Sequence, residues 1–555
     1  MQGLDVYRWV KLGLAALLLN LLLISPNHPE AVTWQALSMV AIELPLILLL
    51  LVALPTHSRF GGAVRTALVV ILMVGFVLKG ADFAMRMAFE RHFNLITDWD
   101  LVWAGWATLL AAVGAPLALA GLVLLIGSLV LITWLLWHGL TLWLAVTPGP
   151  VAKTATYGAM VVLGVVGIVD YGQMTGRWQL ENKLPIDTFA SRNTARYVTD
   201  SLNTYTALQE FKLIATAQAA DTGPGTLAKL KGHDVLILFV ESYGRSSLQN
   251  PLYAQTQLAT LKAAESQLKA QGLAMRSGWL DAPTLGGQSW LSHSTLATGM
   301  WISNQGRYRA MLGSPRNTLF HDARMAGFRT VAIMPALRMT WPDGEYFGFD
   351  RIYQSSDLGY RGEAFNWVLV PDQFALAALD RLERDQPQNN LFVQVALSSS
   401  HAPFTPVPEL LSWDELGDGT VFNAMARSGD TPSVVWADAD RVREQYRLAV
   451  NYSLQTVFDY VERHADRQAD RLGTPADLVV VVGDHEPAPF ISGNAGTNVP
   501  IHVIGPPALI DQINAWDWTP GLVPVAELPA WSMEIFRERF IEAFSQMDSP
   551  RLVTQ

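Results

Sequence analysis

Nearly every long apolar run in this 555-residue chain lies before Gly172, and that asymmetry constrains the fold more than any other feature. The hydrocarbon core of a bilayer takes about 20 mainly apolar residues per helical crossing. Five segments qualify: Tyr7–Ser25, Val32–Leu54, Val64–Phe83, Pro116–Trp137 and Pro150–Val169. The stretch Leu101–Val113, with Trp103 and Trp106, reads as an interfacial helix on the outer surface. Arg8 and Lys11 flank the first span, Arg59 and Arg65 lie between the second and third, and Lys153 lies between the fourth and fifth, whereas Pro26–Glu30 has no Lys or Arg. Positive loops stay in the cytoplasm, so the N-terminus is expected inside. An odd number of crossings then delivers everything after Gly172 to the far side. The expectation is a multi-pass protein of a bacterial inner membrane with a periplasmic domain. No small-residue cleavage site follows the first segment, which therefore reads as a span and not a removable signal. Four charges interrupt the apolar region: Glu43, Lys79, Asp82 and Arg86. The last three recur at helical spacing near the outer end of the third span, where they would receive a lipid headgroup or pair among themselves.

The remainder reads as a water-facing α/β domain. Between Arg177 and Lys229 the pattern is polar and amphipathic, a juxtamembrane connector. Then the periodicity changes: Asp234–Val240 is a nearly continuous short apolar run, as expected of a strand buried on both faces of a parallel sheet. Similar runs occur at Thr330–Met334, Leu391–Leu397, Leu478–Val482 and Ile501–Ile504, with helix-like segments such as Leu258–Gln271 and Arg441–Ala465 between them. This alternation predicts a doubly wound sheet. The expected division is 1–171 for a five-helix membrane bundle, 172–232 for the connector, 233–510 for the α/β domain and 511–555 for a C-terminal extension. A formal charge of −10 speaks against a nucleic-acid partner. The absence of cysteine excludes disulfides and thiolate metal sites.

In doubly wound sheets ligands gather beyond the carboxyl ends of the strands. There this sequence sets Glu241 after Val240, Ser400-His401 after Leu397, and Gly483-Asp484-His485 after Val482. Oxygen and nitrogen donors without sulfur suit one or two divalent ions such as Zn²⁺ or Mn²⁺. Each residue alone has a plainer role, as a solvated carboxylate, a helix cap or a hydrogen-bonded structural histidine. It is their shared edge that singles them out.

Ser289-Trp-Leu-Ser292-His-Ser-Thr-Leu296-Ala-Thr298-Gly299 resembles the sulfatase signature, which closes on Leu-x-Thr-Gly. In the same order, Asp234–Glu241 resembles the first metal-ligand strand of that superfamily, Ser400-His401-Ala-Pro-Phe its Ser-His-x-Pro segment, and Val481-Val-Gly-Asp484-His485 its Gly-Asp-His segment. With preceding membrane spans, the arrangement resembles lipoteichoic-acid synthases, periplasmic phosphoglycerol transferases and lipid A phosphoethanolamine transferases of the alkaline-phosphatase/sulfatase superfamily. The resemblance implies an alkaline-phosphatase-like fold with Ser289 as nucleophile, and with Glu241, Ser289, Asp484 and His485 around a metal. His401 would be a general acid or a ligand to a second ion, and His293 a phosphate contact. Arg338 and Trp341 resemble the headgroup-contacting region of the lipoteichoic-acid synthases, in a different order. His502 is a candidate substrate contact that also reads as a packed core histidine. Leu291 and His293 stand where formylglycine formation needs Pro and Arg, so Ser289 is expected unmodified. The donor implied is a membrane phospholipid and the acceptor an envelope glycan or lipid. Phosphoglycerol is favoured over phosphoethanolamine, because the chain has no cysteine and continues Glu486-Pro-Ala-Pro after the Asp-His pair. Two other readings are a hydrolase of phosphodiesters or sulfate esters and a non-catalytic lipid-sensing module.

Overall fold

A computed structural model describes residues 2–56, 58–89, 91–174, 190–217, 223, 225–385, 390–470, 476–493 and 496–546. Parts of the expected connector (175–189, 218–222 and 224) and the last nine residues lie outside the described residues. The chain forms two compact units, Met1–Ala207 and Leu208–Gln555.

The first unit contains helices α1 (Gln2–Ile24), α2 (Trp34–Leu37), α3 (Glu43–Ala53), α4 (Arg59–Phe89), α5 (Trp99–Val113), α6 (Ala115–Leu144) and α7 (Pro150–Met174), and most of α8 (Ala190–Ala217). Among the described residues four stretches are long and apolar enough to cross a membrane: Val6–Ile24, Arg59–Met87, Ala115–Leu144 and Pro150–Val169. The second expected span, Val32–Leu54, is not one helix, so four long apolar helices stand where five were expected. The 11-residue α3 reaches only about 16 Å at the rise of an α-helix. The break before it has a cause in α1. The buried amide of Asn20 donates to Met39 O (2.9 Å) and accepts from Ala41 N–H (3.0 Å), satisfying backbone groups that a helical ladder would otherwise pair. Nor is the charged trio of α4 paired within itself. Lys79 Nζ donates to Leu23 O (2.5 Å), Asp82 accepts from Phe93 N–H (2.9 Å) and from Arg196, and Arg86 Nη2 meets His92 Nε2 (2.5 Å).

The second unit is built on a nine-stranded sheet. Its strands are β1 (Val235–Val240), β2 (Ala274–Asp281), β3 (Arg329–Met334), β4 (Arg351–Gln354), β5 (Leu391–Ala396), β6 (Leu478–Gly483), β7 (Asn498–Gly505), β8 (Thr519–Pro520) and β9 (Trp531–Ser532). The order is β4-β3-β5-β1-β6-β7-β2-β8, with β9 beside β2. Strands β4, β3, β5, β1 and β6 are parallel. The expectation of a parallel sheet is corrected at β7, which runs antiparallel to both β6 and β2 and makes the sheet mixed.

Every residue of β1 is buried because alternate side chains enter two cores. Leu236, Leu238 and Val240 pack on the face covered by α9 (Pro251–Ala270) and by a long helix, Ala439–Asp470. Val235, Ile237 and Phe239 pack on the face covered by α10 (Ser289–Thr298) and by the C-terminal helix Ile535–Phe544. The C-terminal segment is part of this core. Trp518 lies so close to β2 that a Cβ on Gly278 would meet its ring at 2.7 Å, and Phe536, Phe540 and Phe544 are fully buried.

Candidate active site

Parallel β1 and β6 end side by side, with Val240 opposite Gly483, so Glu241 and Asp484-His485 leave the sheet at adjacent points. Two antiparallel pairings bring β2 back into the direction of β6, and its carboxyl end at Asp281 leads into the turn before Ser289. That turn needs unusual backbone: Gly286 and Gly287 have φ of 71° and 144°, and Gln288 is left-handed at 64°. Its Gly286 N–H donates to Glu486 O (2.9 Å), tying the serine turn to the Asp-His segment.

The side chains converge. Ser289, the first residue of α10, directs its hydroxyl to Glu241 Oε2 (3.0 Å) and lies 3.3 Å from His485 Nε2. His485 Nε2 is 3.1 Å from Glu241 Oε1, and the ligand atoms of Glu241, Asp484 and His485 all lie within 4.8 Å of one another, fully enclosed. Asp484 Oδ1 accepts from the backbone N–H groups of Ser242 (2.8 Å) and His485 (2.7 Å), which fixes its orientation. His485 Nδ1 donates to Glu486 O (2.8 Å), so Nε2 presents its lone pair to the carboxylates. A lone pair facing a carboxylate oxygen at 3.1 Å needs a proton or a cation between them.

Left to protons alone, the cluster titrates far from its usual range. Burial and then the Glu241 charge push Asp484 up to about 8. Burial opposes the charge on His485, but the Asp484 and Glu241 carboxylates outweigh it and raise the imidazole to about 10. Burial likewise works against the Glu241 carboxylate, yet His485 and His401 hold it below the usual carboxylate range. Two acidic oxygens and one oriented imidazole nitrogen, enclosed and neutralised by protons, fit a divalent ion such as zinc or manganese.

Other expected residues fall around or away from this cluster. His401 is exposed on the turn after β5, its Nδ1 2.5 Å from Ala402 O. His293, one turn along α10 from Ser289, rests on Phe239 with ring centroids 4.0 Å apart. Its Nε2 is buried with no hydrogen-bond partner, and burial lowers its pKa to about 4, keeping it neutral. Arg338 is exposed after β3, and Trp341 packs on Phe347 at 5.1 Å. His502 is fully buried in β7 with both ring nitrogens engaged, by Ser277 Oγ at 2.7 Å and Tyr243 OH at 3.0 Å. No face of that ring is left for a substrate.

Gln288 went unread in the sequence, and Glu486 was read only as a departure from a motif. Gln288, buried beside the nucleophile, has an amide nitrogen with no hydrogen-bond partner. Glu486 accepts from Ser246 N–H (2.8 Å) and Ser246 Oγ (2.5 Å), and burial raises it to about 7. The consecutive glycines before Gln288 were the available signal for a special turn there.

No family model matches the sequence, and no curated protein matches it. Among solved structures, the chain is similar to the lipoteichoic acid synthase LtaP from Listeria monocytogenes at 15% identity, over 50% of this chain and 62% of that one, with a TM-score of 0.32. It is similar to the phosphoglycerol transferase GacH from Streptococcus pyogenes at 12% identity, over 61% of this chain and 90% of that one, with a TM-score of 0.35. The soluble domain of lipooligosaccharide phosphoethanolamine transferase A from Neisseria meningitidis matches at 12% identity, over 59% of this chain and 92% of that one, with a TM-score of 0.36. The chain thus spans less than two thirds of LtaP. Likeness this distant decides neither substrate nor chemistry, which the side chains of the cleft must supply.

Proposed function

We propose that this chain transfers a phospho-headgroup from a membrane phospholipid, through a covalent phospho-Ser289, to a hydroxyl of an envelope glycan or lipid. The observation that carries the reading is the Ser289 hydroxyl, held at 3.0 Å from Glu241 Oε2 and 3.3 Å from His485 Nε2, in a chain that also has four apolar helices of membrane-crossing length. Glu241, Asp484, His485 and Ser289 would hold the divalent ion, which when bound supplies a Lewis acid that activates the serine and offsets charge on the phosphoryl oxygens.

The chain's own groups account for the rest. The serine proton leaves along the contact to Glu241 Oε2. As the Oγ–P bond forms, the P–O bond to diacylglycerol breaks, and His401 at the exposed rim gives the leaving alkoxide its proton. In the second half-reaction His401 takes the proton of an acceptor hydroxyl, whose oxygen displaces Ser289 from phosphorus, and the serine regains its proton. His293, neutral and with a free buried nitrogen, is available to a phosphoryl oxygen, and Arg338 and Trp341 to the headgroup. A membrane anchor raises the effective concentration of a lipid donor. Phosphoglycerol is favoured over phosphoethanolamine on the sequence departures noted above. The distribution of Lys and Arg supports a periplasmic position for the catalytic unit.

The test is incubation of the detergent-purified protein with phosphatidylglycerol or phosphatidylethanolamine and added Mn²⁺ or Zn²⁺. Release of diacylglycerol and a metal-dependent phosphoglycerol adduct on Ser289, both lost in Ser289→Ala, are expected. Turnover of phosphate or sulfate esters with neither product would replace the transferase by a hydrolase. No turnover of any ester by metal-loaded protein would leave a binding module.

A further inference from the structure

The reaction above makes no use of Asp372, although that carboxylate is wholly enclosed at the start of α11 (Asp372–Leu379). A buried carboxylate is costly unless hydrogen bonds compensate it. Here three donors do. Oδ1 accepts from the backbone N–H groups of Ser398 (2.8 Å) and Ser399 (2.9 Å), and Oδ2 accepts from the Ser453 hydroxyl (2.7 Å) of α12, the helix Ala439–Asp470. In return, Asp372 N–H donates to Ser399 Oγ (2.9 Å).

All of these contacts except the one from Ser453 fall on the turn that leaves β5. The residue after the clamped pair, Ser400, donates its hydroxyl to the main-chain oxygen of Glu241 at 2.6 Å, and the next is His401. Ser453 Oγ also lies 3.3 Å from Ser400 Oγ. Two turns earlier on α12, Tyr446 OH donates to Ser242 O (3.0 Å). The consecutive carbonyls of Glu241 and Ser242 are thus gripped from the β5 turn and from α12, and Asp372 joins the two grips.

We infer that Asp372 is a positioning residue: its carboxylate fixes the Ser398–His401 turn, and through Ser400 it sets the peptide from which Glu241 reaches the metal cluster. The inference rests on the reading of Glu241, Asp484 and His485 as a divalent-ion site. A carboxylate that merely began a helix would affect stability and leave ion affinity alone.

Asp372→Ala and Asp372→Asn, made in the full chain, separate the two roles. The readouts are Zn²⁺ affinity by chelator competition, the thermal midpoint of the zinc-free protein, and hydrogen exchange of the Ser398–His401 amides. Loss of an outer-shell partner typically costs about 10- to 100-fold in metal affinity. Asp372→Ala should show a loss of that size and faster exchange in the turn. Asp372→Asn keeps an oxygen for both N–H groups and should recover to within a few-fold of the parent. Unchanged zinc affinity in folded Asp372→Ala overturns the inference. Should Asp372→Ala fail to fold, Ser400→Ala breaks the same link nearer to Glu241, and unchanged zinc affinity there overturns it equally. If the parent protein binds neither zinc nor manganese, the metal reading itself fails. The positioning role then stands or falls on whether the turn amides exchange faster in Asp372→Ala, or in Ser400→Ala where Asp372→Ala does not fold, and stay slow in Asp372→Asn.

Discussion

A Cβ on Gly244 would stand 2.0 Å from Glu486 Oε2 and 2.8 Å from Glu486 Cα, a backbone atom that cannot swing aside. Gly244→Ala should therefore cost about 3 kcal/mol or more, read as a lowered denaturation midpoint of the second unit. Gln288 invites a subtler test. Its buried amide nitrogen lacks a partner beside the nucleophile, where phosphoryl charge would develop. Gln288→Leu is expected to lower kcat at least ~10-fold with little change in KM, since a donor used in the transition state acts on kcat. His502 gives a pH dependence with a definite sign. Burial lowers its folded pKa from 6.5 to about 3. Below pH 6.5 the unfolded chain gains a proton that the folded one refuses, so this stabilisation is complete above that pH and declines as pH falls towards 3. At pH 5 the loss is about 2 kcal/mol, and the stability advantage of the parent over His502→Gln should shrink by that amount between pH 7 and pH 5.

At the scale of elements, what was legible depended on whether the cause was local. The runs Asp234–Val240 and Leu478–Val482 announced buried strands because each is almost wholly apolar and then ends on Glu241 or Gly483-Asp484-His485. Strand β2 escaped notice because Arg276, Ser277 and Gly278 interrupt it, and the reason for Gly278 is the ring of Trp518, 240 positions away. Glu486 could be read only as a departure from a motif, since its partner Ser246 lies across the site. Likewise Val32–Leu54 passes as a span on composition, and its break depends on Asn20 in another helix. That clamp is testable. Asn20→Leu would strip partners from Met39 O and Ala41 N–H, and unsatisfied buried polar groups cost about 1–3 kcal/mol each. A lower thermal midpoint in detergent is expected, with helix content unchanged or raised if α2 and α3 fuse.

For the whole molecule the break in that segment matters through parity. If Val32–Leu54 still crosses, with α3 and the residues before it completing the passage, there are five crossings and the second unit lies opposite the N-terminus. If only the four long helices cross, the second unit returns to the N-terminal side and Lys153 changes sides with it. The charge distribution favours five, because four would place Arg59, Arg65 and Lys153 outside, against the usual retention of Lys and Arg in the cytoplasm. A chain without cysteine is suited to deciding this, since single cysteines can be added with no background. Gln249 and Lys153 are both exposed and belong to the two regions whose sides must differ. With a membrane-impermeant maleimide on intact spheroplasts, Gln249→Cys should be labelled at once and Lys153→Cys only after permeabilisation. The reverse pattern would put Ser289 and its Glu241–Asp484–His485 cluster in the cytoplasm. An envelope acceptor would then be out of reach, and a cytoplasmic ester would become the substrate to seek for the same Ser289.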